Sequence, residues 1–95
     1  MTNRFQKLVE KLDRCFENRP IDANRVKMTV DVFMKFNEAE QLSELQRGVL
    51  RMIPQMLIDA ERWGNPDSLD YATDLLSSLK IDLHNCGLVN INSED

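Results

Sequence analysis

Apolar residues recur along this chain at steps of three and four, the spacing that puts side chains on one face of an α-helix. Phe5, Leu8, Val9, Leu12, Cys15 and Phe16 follow it closely, with Arg4, Lys7, Glu10, Lys11, Asp13, Arg14 and Glu17 between them. This predicts a first amphipathic helix from about Asn3 to Asn18, capped by Thr2 and stopped ahead of Pro20. Asp22 is a natural cap for a second helix from Ala23 to about Glu40. The second segment is less clear-cut. Val26, Met28, Val30, Val32, Met34 and Phe36 alternate as in a strand. Phe33 breaks the alternation, however, and the only other strand-like piece, residues 88–91, is too short to pair with it. A helix with a narrow polar strip (Asn24, Lys27, Asp31, Lys35, Glu38) and otherwise largely buried is the better reading.

The most apolar long segment runs from Leu45 to Trp63. Leu45, Val49, Met52, Met56, Ala60 and Trp63 share one helical face, which Leu50, Ile53 and Leu57 widen. Such a face needs cover from more than one neighbour. Ser43 to Gln46, reading SELQ, has capping-box spacing and opens this third helix. Pro54 lies inside it, so the helix either kinks there or breaks and restarts; the apolar face stays in phase across Pro54, which favours one kinked helix. Gly64 is the expected stop. Asn65-Pro66 then reads as a cap with proline at the first helical position, opening a fourth helix to about Cys86 with a seam of Leu69, Ala72, Leu76, Leu79 and Leu83. Gly87 ends it, Leu88 folds back on its last turn, and residues 90–95 form a short disordered polar tail.

The fold expected is therefore all-α: one domain over residues 1–95, a four-helix bundle with its third helix kinked or broken at Pro54. Composition agrees. Three glycines and three prolines in 95 residues suit long helices better than a turn-rich β fold. Hydrophobic residues at 42% and charged residues at 29% are a globular balance. No apolar run is long enough to span a membrane, and the first residues are amphipathic rather than signal-like, which points to the cytoplasm or, alternatively, the nucleus.

Candidate chemistry is sparse. His84 and Cys86 form an H-x-C pair, but a structural zinc site needs about four ligands and no second pair exists. Two cysteines, Cys15 and Cys86, far apart in the chain, suggest free thiols in a reducing compartment. No Gly-rich phosphate loop, nucleophile elbow or zinc-protease motif occurs. Carboxylates such as Asp59 and Glu61, or Asp70 and Asp74, read as solvated helix faces. The expectation is a chain without catalytic residues, metal or cofactor.

A net charge of −4 argues against a dedicated nucleic-acid binder. The alternative, a helical transcriptional or nucleic-acid-binding regulator, would use Arg19, Arg25 and Lys27, or Arg47 and Arg51. The stronger signal is apolar excess, with Met28, Met34, Met52 and Met56 in the two central helices. The leading expectation is a non-enzymatic protein–protein interaction module: a small adaptor, regulator or inhibitor, homodimeric, that docks a protein partner through an apolar helix face. Phe36, Met52, Met56 and Trp63 are its candidate contact residues.

Overall fold

The computed structural model describes residues 3–90, as four α-helices and one short 3-10 helix, with no strand among the described residues. In chain order these are α1 (Arg4–Glu17), α2 (Ala23–Met34), the 3-10 helix Asn37–Gln41, α3 (Glu44–Trp63) and α4 (Pro66–Asn85). Thr2, expected to cap α1, lies outside the described residues, as does most of the expected tail. The cap is Asn3, whose side-chain oxygen accepts the Gln6 N–H at 2.7 Å. All six residues of the α1 stripe are buried, as its spacing predicts.

α2 starts where Asp22 caps it, the carboxylate accepting from the Asn24 and Arg25 N–H groups. It ends at Met34, well short of Glu40. The Lys35 and Phe36 N–H groups bond three residues back, to Val32 and Phe33, so the last turn tightens and Phe36 leaves it extended. The chain turns there because Ala39 and Leu42 are both buried in the core. Nor is α2 largely buried. It gives the core only Ala23, Val26, Val30 and Phe33, while Met28, Val32 and, just beyond it, Phe36 remain exposed.

α3 opens with the expected capping box: Ser43 accepts the Gln46 N–H, and the Gln46 side chain accepts the Ser43 N–H. The helix runs without a break through Pro54, which is buried and lacks the N–H that would bond the Leu50 carbonyl. Its core face is not the one its most regular stripe suggests. Gln46, Leu50, Ile53, Pro54 and Leu57 are buried, roughly a third of a turn around the helix from Leu45, Met52 and Trp63.

Gly64 closes α3 in the left-handed conformation (φ 60°), and Asn65 caps α4 ahead of Pro66. α4 buries Ala72, Leu76, Leu79 and Leu83. At its end Leu88 N–H bonds the Leu83 carbonyl and Gly87 N–H the His84 carbonyl, with Gly87 at φ 80°, which is the Schellman arrangement the Gly-Leu pair predicts.

Consecutive helices pack against each other, most closely α3 with α4, then α2 with α3. Tilted rings of Phe5 and Phe33, 5.4 Å between centroids, join α1 to α2. Lys80 on α4 donates to Asp13 on α1 at 2.9 Å, and the Gln6 amide bonds both backbone polar groups of Asn90, so α1 also meets the far end of the chain. One hydrophobic core takes residues from every helix. Among the described residues no helix is long and apolar enough to cross a membrane.

Candidate functional site

With Leu50, Ile53 and Leu57 supplying its core face, α3 carries a second apolar stripe outside the core. Leu45 is 78% and Trp63 73% exposed; Met52 is also exposed, and Val49 and Met56 are only partly buried. Positions 45, 49, 52, 56 and 63 fall on alternating steps of four and three, with Asp59 filling the remaining place. This is the spacing of the narrow seams by which helices pack in pairs. From Leu45 to Trp63 it is roughly 27 Å long.

The far edge of α3 (Arg51, Pro54, Gln55, Ile58) lines the cleft shared with α2, so the stripe lies on the α4 side. There the Gln46 amide donates to the Asp82 carboxylate at 2.6 Å, fixing how α3 and α4 are aligned. Leu75, two turns before Asp82, lies on that same edge of α4, and Tyr71 one turn further back. Leu75 is partly buried and Tyr71 exposed, so the edge of α4 that meets Gln46 also carries apolar side chains.

Phe36 belongs to a different surface. It lines a groove of about 500 Å³ between α1 and α2, with Met28 and Val32 as neighbours and Leu8 and Phe33 as floor. The Arg4 guanidinium stacks over the Phe36 ring, 3.7 Å from its centroid, and also pairs with Glu38 at 3.4 Å. The four candidate contact residues thus divide: Met52, Met56 and Trp63 share the α3 stripe, and Phe36 stands apart from them.

The basic residues divide as well. Arg25 lines the α1–α2 groove. Lys27 and Arg51 line the α2–α3 cleft, where Lys27 is paired with Asp31 at 2.9 Å. Arg19 borders a third hollow, between the α1–α2 connection and the α3–α4 turn. Arg47 is half-buried near the start of α3. What joins Arg25 on its groove is Arg4, Lys7 and Lys11, residues that the sequence presents only as the polar face of α1. Their spacing, at steps of three and four along one edge, is the signal that could have found them.

His84 holds the Val89 carbonyl with its Nδ1 at 3.2 Å, and Cys86 lies 3.8 Å from the Gln46 amide. Cys15 is buried, and no three His, Cys, Asp or Glu side chains gather as metal ligands among the described residues. Comparison with protein-family models, with curated proteins and with solved structures yields no significant match. The geometry therefore carries the functional reading.

Proposed function

We propose that the chain is a non-enzymatic protein–protein interaction module, a small adaptor, regulator or inhibitor, and that it docks through the α3 stripe, first of all onto a second copy of itself. The supporting observation is the exposure of Leu45, Met52 and Trp63 on one seam-spaced face. Three large apolar side chains open to water on one line are unfavourable for an isolated monomer, and each contributes about 1.5–3 kcal/mol when fully covered. Two such stripes crossing antiparallel about a two-fold axis would bring Met52 of each copy onto Met56 of the other. Leu45 would then face Trp63 at both ends. Tryptophan at such a position is a typical binding hot spot.

Light scattering across a concentration series tests this. The expected mass is about 22 kDa, twice the 11.1 kDa chain. Trp63→Glu should return it to 11.1 kDa at unchanged helicity by circular dichroism, weakening association by about 100-fold or more. A mass of 11.1 kDa at every concentration would rule out self-association through this face.

A further inference from the structure

The groove between α1 and α2 is built from segregated charge. The chain has more acidic than basic residues, 16 against 12, yet four of the twelve (Arg4, Lys7, Lys11 and Arg25) border this one groove. Among the described residues the only carboxylate lining it is that of Asp22, which caps α2. Among the described residues Lys7, Lys11 and Arg25 make no ion pair. The wall beneath them is apolar: Met28, 66% exposed, is followed one turn on by Val32, and Phe36 extends the line.

We propose that this groove is a second docking site and that it takes an acidic amphipathic helix from a partner protein. Positions 4, 7 and 11 spread positive charge along roughly 10 Å of α1, two turns of helix. A ligand helix lying alongside, with glutamates on its flank at the same three- and four-residue steps, meets each cation in turn. Its apolar residues, one per turn, meet Met28 and Val32, one turn apart on α2, and then Phe36 just beyond the helix end. A single-headed anionic amphiphile would neutralise one end of the row and leave the rest unmatched. A nucleic acid would match the charges, but phosphate recognition has no use for an exposed methionine and valine. Arg4, already stacked on Phe36, marks the end of the groove where a carboxylate would have to compete with Glu38. The site is separate from the α3 stripe and does not depend on it.

The probes are two synthetic, fluorescein-labelled helices of about 14 residues (roughly 21 Å), both with leucines on one face. One carries glutamates on the flanks, the other lysines, and binding is followed by fluorescence anisotropy. The glutamate peptide should saturate the protein and bind at least about tenfold more tightly than the lysine peptide, with affinity falling as salt is raised. Lys7→Glu with Lys11→Glu should weaken it by about tenfold or more, and Met28→Ser by about fivefold. These side chains are exposed, and circular dichroism checks that the variants stay folded. Trp63→Glu should leave peptide binding unchanged, which separates this site from the α3 face. The proposal is overturned if the glutamate peptide does not bind, if the lysine peptide binds equally well, or if Trp63→Glu rather than the groove variants abolishes binding. It is also overturned if a single-stranded oligonucleotide binds more tightly than the glutamate peptide, with an affinity indifferent to Met28→Ser.

Discussion

At Gly48 an added methyl group would meet nothing within 4 Å beyond its own helical backbone, and the residue sits exposed in the second turn of α3. Glycine there only loosens the helix, so Gly48→Ala is expected to raise stability by about 0.5–1 kcal/mol. Space is equally open around Gly87, but its φ of +80° is one that a side chain resists. Gly87→Ala should therefore lower stability, by about 1–2 kcal/mol. Urea unfolding of the two variants checks both signs, and a destabilising Gly48→Ala would mean that something packs closely over that turn. Gln46 shows the same dependence on setting. It is buried despite its polar amide because the amide is satisfied twice over, by the Ser43 backbone and by Asp82. The capping box was readable in the sequence; the bond to Asp82, 36 positions away, was not.

At the scale of the helix, legibility follows the width of the apolar face. α1 was readable because it has one stripe with charged or polar residues on either side, which leaves a single way to turn it inward. α4 was readable from its leucine seam and its Asn-Pro and Gly-Leu ends, although Leu75 and Tyr71 widen its apolar face. α3 has apolar residues around more than half its circumference, and periodicity alone could not say which part faces the core. The more regular stripe proved to be the outer one. The inner face includes a glutamine and a proline, residue types that a hydrophobic pattern discounts. Neighbouring positions separate the two faces experimentally. Ile53→Ala should cost about 2–5 kcal/mol as a core cavity, whereas Met52→Ala in dilute monomer should cost under about 1 kcal/mol. Equal losses in urea unfolding would contradict this assignment of faces. The early end of α2 was hidden for a related reason: Met34, Lys35 and Phe36 extend the local pattern, and only the burial of Ala39 and Leu42 turns the chain away.

For the molecule as a whole, net charge was the least informative quantity. A total of −4 conceals a groove bordered by four cations. Arg25 and Lys27 are neighbours in sequence, but two residues apart on a helix they point to nearly opposite sides, and they line different clefts. Only the packing of α1 on α2 sets Arg4, Lys7 and Lys11 beside Arg25. The result is a molecule with two apolar surfaces of different character. One is a seam on the α3–α4 side, and the other a basic-rimmed groove between α1 and α2. They share no residue.

The two thiols differ in a way that supplies a built-in clock. Cys86 is exposed at the end of α4, while Cys15 is enclosed by the core stripe of α1. A short pulse of a maleimide dye in native buffer should add one label, at Cys86, and mass spectrometry should find a second only after denaturation. Prompt double labelling would show that α1 undocks freely. Under longer exposure, the slow appearance of the second label reports how often the first helix lifts from the bundle, with no probe engineered into the chain.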